Sequence, residues 1–226
     1  MSDSRPLIAP LAVVCLVALA LALFLRGSPA GAPGQAAADD GARYGLQDGG
    51  PQALPPVAAL RFAAGIAPSD QQVVLRAVSE ARPDARRLVG LVAGLVTISF
   101  GELGNGVAGQ MRPTAGGYEI VLNLGRVYRG AGMRGVRRLV LHELAHVVDH
   151  ALVAGELEAR LDAATPPGFG CDGGHSGGCA AREERFAESF AKWATGDIGN
   201  DLYLGYRVPP PASLSGWGAP LAALTR

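Results

Sequence analysis

Residues 139–150 read Leu-Val-Leu-His-Glu-Leu-Ala-His-Val-Val-Asp-His. The histidines His142 and His146 are four residues apart, so in a helix they lie on one face, one turn from each other. That spacing allows two imidazoles to bind one Zn²⁺. Glu143 is placed beside the first histidine to accept a proton from a zinc-activated water rather than to bind the metal. The stretch therefore predicts a zinc site on a helix.

The residues that flank this motif are almost all apolar, which predicts that the helix is buried. A buried glutamate and two buried histidines are costly unless a partner such as a metal satisfies them. A catalytic zinc also needs a third protein ligand and an open position for water. His150 continues the four-residue spacing, but it lies ~12 Å along the helix axis from His142 at ~1.5 Å per residue. The third ligand is therefore expected elsewhere.

Two glutamates later in the chain provide the first candidates for this ligand. Glu184 and Glu188 are four residues apart on a helix predicted over 181–194. One carboxylate can bind zinc while the other orients a ligand imidazole through its second nitrogen. Alternatively, the pair belongs to a solvated acidic face that is paired with the neighbouring bases Arg182, Arg185 and Lys192. Asp162 or Asp172 as the third ligand is a further alternative.

Together, the segments 142–149 (His-Glu-Leu-Ala-His-Val-Val-Asp) and 184–190 (Glu-Arg-Phe-Ala-Glu-Ser-Phe) resemble the gluzincins, especially the anthrax-lethal-factor-like metallopeptidase domain. The resemblance implies that Glu184 is the third zinc ligand and that Glu188 orients a ligand imidazole through its second ring nitrogen. It implies an α+β, zincin-like fold in which a small sheet lies beside the HExxH active-site helix and a Glu-bearing helix packs against it. The implied activity is that of an endopeptidase with Glu143 as general base.

The resemblance also implies a side chain that stabilises the oxyanion of the reaction. Members of that family carry a tyrosine shortly before the Glu-bearing helix, whereas the corresponding stretch here is Gly-rich and holds His175. His175 is therefore the candidate catalytic residue for this role, with Tyr203 and Tyr206 as substitutes.

Two other hypotheses about function stay open at this stage. A protein with a zincin-like fold could bind partners or act as a scaffold with little or no catalysis. A zinc hydrolase could also act on an amide that is not part of a peptide. Neither the composition nor a substrate-pocket signature distinguishes these from a peptidase.

The chain begins with an uncharged apolar block over 7–25, flanked by Arg5 and Arg26. Its length is close to the ~20 residues that cross a bilayer as a helix, so we predict an N-terminal transmembrane helix within 1–26. A cleaved signal peptide, whose apolar region is usually shorter, is the main alternative, and a buried core helix is a minor one. Both main interpretations place the rest of the chain outside the cytoplasm, either on a single-pass membrane protein or on a secreted one.

Composition divides the remainder of the chain into two parts. Residues 27–56 are rich in Gly, Ala and Pro and predict a flexible linker, so 57–226 is expected to form the metallopeptidase domain. The formal net charge is zero, with 20 basic and 20 acidic residues, which gives no indication of nucleic-acid binding. The expected partners are a peptide or protein substrate and, through the N-terminal helix, a membrane. The oligomeric state is not predicted.

Cys171 and Cys179 enclose a short Gly-rich run. Outside the cytoplasm we expect them to form a disulfide. The alternatives are a structural metal site that also uses His175, or free thiols.

Local patterns predict the remaining elements of the domain. The strand expected over 118–124 would edge the cleft and pair with extended substrate, as such strands do in zincins generally. The other predicted elements are helices over about 69–81, 86–93 and 136–153, a strand over 95–100, loops over 101–117 and 165–180, and an irregular tail.

Overall fold

The computed structural model describes residues 60–167, 180–199, 202 and 207–225, all of which belong to one compact unit. This part of the chain is mixed α+β, as predicted, with one small sheet and six helices. In chain order the elements are β1 (Arg61–Phe62), α1 (Pro68–Ser79), α2 (Pro83–Val92), β2 (Val96–Phe100), β3 (Gly109–Thr114), β4 (Gly117–Leu122), α3 (Leu124–Leu152), α4 (Gly155–Ala164), α5 (Arg182–Thr195) and α6 (Leu214–Ala223).

The sheet has the strand order β1-β2-β4-β3. β1 and β4 both run parallel to β2, whereas β3 runs antiparallel to β4 through a hairpin that pairs Thr114 with Gly117. Ile98 of β2 pairs with Ile120 of β4, and both side chains are buried in the core. β3 is therefore an edge strand of the sheet in the described part of the chain.

The prediction for this region was wrong in two respects. The stretch 101–117 is not all loop, because it contains β3. The strand predicted over 118–124 is β4, and it lies between β2 and β3 instead of at the edge of the sheet. Gly and Pro at the two ends of Gly-Gln-Met-Arg-Pro-Thr conceal the strand, although a proline such as Pro113 is itself typical of edge strands.

The long helix α3 begins at Leu124, twelve residues before the predicted start at 136. The side chain of Asn123 caps it by accepting a hydrogen bond from the backbone N–H of Arg126 at 3.2 Å. Gly132 interrupts the helix with φ 58° and ψ −161°, a conformation that residues with a Cβ rarely adopt. The interruption separates a short first segment, which lies along the cleft described below, from the long segment that carries the motif.

The core is formed where α5 packs along α3 and α6 covers α5. Phe186, Phe190 and Trp193 of α5 are buried, and Phe186 and Trp193 contact Trp217 of α6 with ring centroids 5.6 and 6.4 Å apart. The Trp217 indole N–H donates to the hydroxyl of Thr165 at 2.9 Å. The prediction of an irregular tail was wrong for the residues of α6. Trp217 of this helix is buried and completes the core.

Several predictions fall outside the described residues. These are the apolar block 7–25, the linker 27–56, the cysteines Cys171 and Cys179, and the oxyanion candidates His175, Tyr203 and Tyr206. Within the described ranges, no helix combines the length and apolar character needed to cross a membrane. The helices predicted over 69–81, 86–93 and 181–194 are confirmed to within a few residues at their ends.

Gly218 allows α6 to lie directly on α5, because a Cβ there would overlap the indole nitrogen of Trp193. We expect Gly218→Ala to lower the free energy of unfolding by about 1–3 kcal/mol, the usual cost of overpacking a filled core. Gly90 of α2 has open space around it, so Gly90→Ala is the control and should stabilise by about 0.5–1 kcal/mol. Urea titrations measure both changes, and stabilisation by both variants would contradict the packing of α6.

Candidate metal centre

Three side chains from two helices meet at the interface of α3 and α5. His142 and His146 lie one turn apart on α3, and Glu184 lies in the first turn of α5. The Glu184 carboxylate is 3.0 Å from Nε2 of His142 and 3.6 Å from Nε2 of His146. One ligand atom from each residue lies within 4.8 Å of the other two, so the group can hold a metal ion.

The donor set and its spacing fit a zinc ion. Zinc binds imidazole nitrogen and carboxylate oxygen at about 2.0–2.2 Å, which puts any two ligands of a tetrahedron about 3.3 Å apart. The observed separations of 3.0 and 3.6 Å lie on either side of that value. The two distances go to different oxygens of Glu184, and all three ligand atoms lie within 4.8 Å of one another, so His142, His146 and Glu184 are close enough to converge on one ion.

Glu188, one turn after Glu184, binds the other ring nitrogen of His142. Nδ1–H of His142 donates to one carboxylate oxygen at 3.2 Å. The other oxygen accepts from Arg138 at 2.5 Å and from Lys192 at 3.0 Å. All of these side chains are buried. The contact holds the His142 ring with Nε2 directed at Glu184 and keeps a proton on Nδ1, so a metal that displaces the second proton of the ring would bind at Nε2.

A second acid holds Arg138 from its other side. The backbone carbonyl of Asp197 accepts from the Arg138 guanidinium at 3.1 Å, and the Asp197 carboxylate lies 3.6 Å from it. Arg134 donates two hydrogen bonds to the same carboxylate, at 2.6 and 2.8 Å. Hydrogen bonding to Arg134 lowers the pKa of Asp197 to about 2 despite partial burial. The charges behind His142 thus continue as a chain from the metal centre to the half-exposed Arg134.

Opposite charges decide the protonation of the residues that face each other in the metal-free site. Burial disfavours the charged form of His142, but its hydrogen bonds to Glu184 and Glu188 outweigh this and raise its pKa well above the ordinary value. Burial likewise opposes ionisation of the two acids. Hydrogen bonding to His142 nevertheless lowers the pKa of Glu184, and with Arg138 it lowers that of Glu188 to about 2. Both carboxylates are therefore anionic at neutral pH.

For Glu143 and His146, burial changes the pKa more than attraction to opposite charges does. Burial raises the pKa of Glu143 to about 7, against the charge of His142 and with a further contribution from Glu184. Burial, followed by the charge of His142, lowers the pKa of His146 to about 4. His146 is accordingly neutral near pH 7, which is the form that binds a metal.

A cleft of about 840 Å³ opens beside this centre. His142, Glu143, His146 and Glu184 all line it, together with β3, the first segment of α3 and His150. His150 is thus part of the cleft but not of the ligand group, as its distance along the helix predicts.

Gly109, the first residue of β3, lies directly against Glu143. A Cβ at this position would be 2.5 Å from Oε1 and 2.8 Å from Cδ and Cγ of Glu143. No real Cβ approaches side-chain atoms this closely, so a residue larger than glycine would displace the carboxylate. The edge strand thereby limits where the Glu143 carboxylate can lie.

The backbone of β3 presents hydrogen-bonding groups along the cleft. The N–H of Asn123 donates to the carbonyl of Ala108 at 2.8 Å, so the backbone groups of Ala108 point towards β4. Because successive strand residues point these groups to opposite sides, Gly109 and Met111 turn theirs to the open edge. Pro113, next on that side, has a carbonyl but no N–H.

The alternative assignments of the acidic residues do not agree with the structure. Asp162 pairs with Arg185 at 2.6 Å and is not part of the ligand group. The expectation of a solvated acidic face is wrong for Glu188, which is 2% exposed. Of the bases proposed for that face, Lys192 does bind Glu188 at 3.0 Å, although both side chains are buried, whereas Arg182 makes two hydrogen bonds to Asp149. Asp172 lies outside the described residues.

No match was found in a scan of protein-family models, in a search of curated proteins or in a search of solved structures. The resemblance to gluzincins therefore depends on the two motifs alone. Because one fold can host unrelated activities, a function for this chain has to be argued from the chemistry of its site.

Arg138 and Gly109 were not predicted from the sequence, and Lys192 was named only as a partner of a solvated acidic face. Arg138 precedes His142 by four residues and Lys192, the single lysine of the chain, follows Glu188 by four. Continuing the four-residue spacing beyond the motifs would have placed both on the correct helix faces. Gly109 carried no such signal, because its importance depends on a contact between a strand and a helix.

Two substitutions on α5 separate a metal ligand from its support. Glu184→Ala removes a ligand atom, so we expect metal binding to be lost, with a smaller loss of stability in the metal-free protein than Glu188→Gln causes, because His142 keeps its hydrogen bond to Glu188. Glu188→Gln should keep metal binding but weaken it by about 10–100-fold. It should also destabilise the metal-free protein by about 3–5 kcal/mol, since Arg138 and Lys192 lose their shared anion. Metal titration and thermal melts measure both effects, and the reverse pattern would exchange the two roles.

Proposed function

We propose that this protein is a zinc-dependent endopeptidase with a zincin-like fold. One observation supports this above all: the three-residue ligand group, the Glu143 carboxylate and an open strand edge line the same cleft. A metal site that served only to stabilise the fold would need neither a free carboxylate beside it nor an edge available for another chain.

Zinc is the metal that this donor set favours. Two imidazoles and one carboxylate form the protein ligands of many catalytic zinc sites, in which a fourth position stays available. Zinc bound by His142, His146 and Glu184 would act as a Lewis acid that acidifies water and polarises a carbonyl group. The contact between His142 and Glu188 is the kind of support that strengthens an imidazole ligand.

Glu143 is the general base of the proposed reaction. Among the residues that the structure describes, none donates a hydrogen bond to its carboxylate, and the side chain lines the cleft next to His142 and His146. It would accept a proton from the attacking water and then deliver it to the nitrogen of the leaving amine. Gly109 supports this role because it lies against the carboxylate and limits where that group can lie within the cleft.

The edge of β3 is the proposed binding surface for the substrate backbone. An extended peptide can add to an open sheet edge through main-chain hydrogen bonds, and Gly109 and Met111 offer donors and acceptors there. This favours a peptide over a non-peptide amide as the substrate. It also favours an enzyme over a scaffold, because the bound backbone would pass beside Glu143.

The remaining expectations are part of the same proposal. The apolar block 7–25 supports a single-pass anchor with the catalytic domain outside the cytoplasm, or a secreted protein if the block is cleaved. A disulfide between Cys171 and Cys179 is consistent with that location. His175, Tyr203 or Tyr206 would stabilise the oxyanion.

The decisive experiment combines zinc analysis with one substitution. The purified protein should contain about one zinc per chain and cleave members of a generic peptide library. Glu143→Gln should retain the zinc and lower kcat by about 10²–10⁴-fold, the usual contribution of a general base. Glu156→Gln, at an exposed position of α4, is the matched control and should change neither quantity. Full activity of Glu143→Gln would exclude the proposed mechanism.

Gly109→Ala tests the position of that base. We expect it to keep zinc affinity and melting temperature but to lower kcat by up to about 10²-fold, because small displacements of a catalytic group are costly. Gly116→Ala, in the hairpin turn where a Cβ meets nothing, is the control. The shorter carboxylate of Glu143→Asp should relieve the overlap, so adding Gly109→Ala to that variant should cost much less. An equal loss in both backgrounds would argue against the contact.

A further inference from the structure

The cleft has two ends that can be assigned from the strand that lines it. Gly109 lies beside Glu143 and marks the middle. Pro113, later in β3, pairs with Tyr118, whose ring lies 6.2 Å from that of His150. In the other direction, the loop before β3 leads back to residues next to the first segment of α3. The lining of the cleft therefore passes from this segment, across Glu143, to His150.

Arg126 supplies a cation at the end opposite His150. Its side chain is exposed and lines the cleft. A Cβ at Gly106 would lie 3.0 Å from its Nη2 and 3.6 Å from its Cζ, so the guanidinium rests against the backbone of this loop. Gly106 has φ +77°, a conformation that favours glycine and keeps the space for the guanidinium open.

The charge of Arg126 is uncompensated within the described part of the chain. Other arginines there, such as Arg112, Arg137 and Arg185, bind carboxylates at 2.6–2.7 Å, whereas Arg126 has no ion pair. Glu183 lines the same cleft and is not paired with it. Among the described lining residues, Arg126 is the single guanidinium, so it is available to a carboxylate that enters the cleft.

The direction of a bound peptide follows from the strand to which it adds. Antiparallel addition, the more stable pairing, makes a peptide run opposite to β3. Its part C-terminal to the cleaved bond then extends from Gly109 towards Gly106 and Arg126. The three residue steps from Gly106 to Gly109 span at most ~11 Å, which equals about three residues of extended peptide. Arg126 is thus within reach of a residue two or three positions after the cleaved bond.

We propose that Arg126 binds a carboxylate on the C-terminal side of the cleaved bond, and that the enzyme prefers substrates with an acidic group two or three residues after it. This inference rests on the proposed peptidase function and adds a substrate class to it. An acidic side chain and a free C-terminus carry the same chemistry, and both would be bound by the guanidinium.

Matched peptides test the preference. A quenched fluorescent peptide would carry Glu, Gln or Lys at the second or third position after the cleaved bond, within a longer chain that is amidated at its end. We expect kcat/KM to be about three- to tenfold higher for Glu than for Lys, the range of a partly exposed ion pair. Arg126→Glu should reverse the order of the Glu and Lys peptides.

Two further arms define the control and the source of the carboxylate. Arg129→Glu makes the same charge change three residues along α3, on a side chain that does not line the cleft, and should keep the preference for Glu. A Gln peptide that ends at the third position, compared as free acid and as amide, reports recognition of a C-terminus. If only that pair responds to Arg126→Glu, the carboxylate is terminal; if only the Glu peptide responds, it is a side chain.

Binding measurements keep the inference testable independently of turnover. In zinc-loaded Glu143→Gln, fluorescence anisotropy should show the Glu peptide binding more tightly than the Lys peptide, with the order reversed when Arg126→Glu is added. Peptides that bind in this order without being cleaved by the wild type would exclude the peptidase proposal and leave the role of Arg126 intact. Equal binding of Glu and Lys peptides, or an order unaffected by Arg126→Glu, would overturn that role.

Discussion

The buried carboxylate of Glu188 is the interaction on which the rest of the centre depends. It lies between His142 on α3 and the cations Arg138 and Lys192, with hydrogen bonds of 3.2, 2.5 and 3.0 Å. An isolated charge at this depth would be unstable, so each of these groups needs the others. Because Glu188 and Lys192 are on α5 and the other two are on α3, the contact also fixes the register of the two helices. That register brings Glu184 to the two histidines.

The sheet contributes to the site through its edge. β3 turns the backbone groups of Gly109 and Met111 to the cleft, and the missing Cβ of Gly109 lets the strand approach Glu143. Substrate binding and general-base chemistry are therefore proposed to meet at one residue of one strand. Arg126 and His150 line opposite ends of the cleft along this strand, so a peptide bound there as proposed would have a direction as well as a position.

Much of the site could be predicted because its spacing is local. Two histidines and two glutamates at four-residue intervals share helix faces whatever the rest of the chain does. The helix that carries Phe186, Phe190 and Trp193 could also be predicted, because an apolar stripe at helical spacing indicates which face of a helix is buried. β3 and α6 were missed because both are short and contain Gly and Pro, which locally disfavour a strand or a helix. Tertiary packing overrides that local preference. The same is true of the first segment of α3, which three glycines conceal.

The sequence by itself determined the identity of the donor groups, the helices that carry them and the mixed α+β class. It could not determine that His142 faces both Glu184 and Glu188, because that depends on how two helices distant in the chain pack against each other. Nor could it determine that Gly109 touches Glu143 or that Arg126 borders the same cleft. Periodicity reports which face a residue occupies on its own element, whereas a cleft is made by faces of different elements. Only their tertiary packing decides which faces meet.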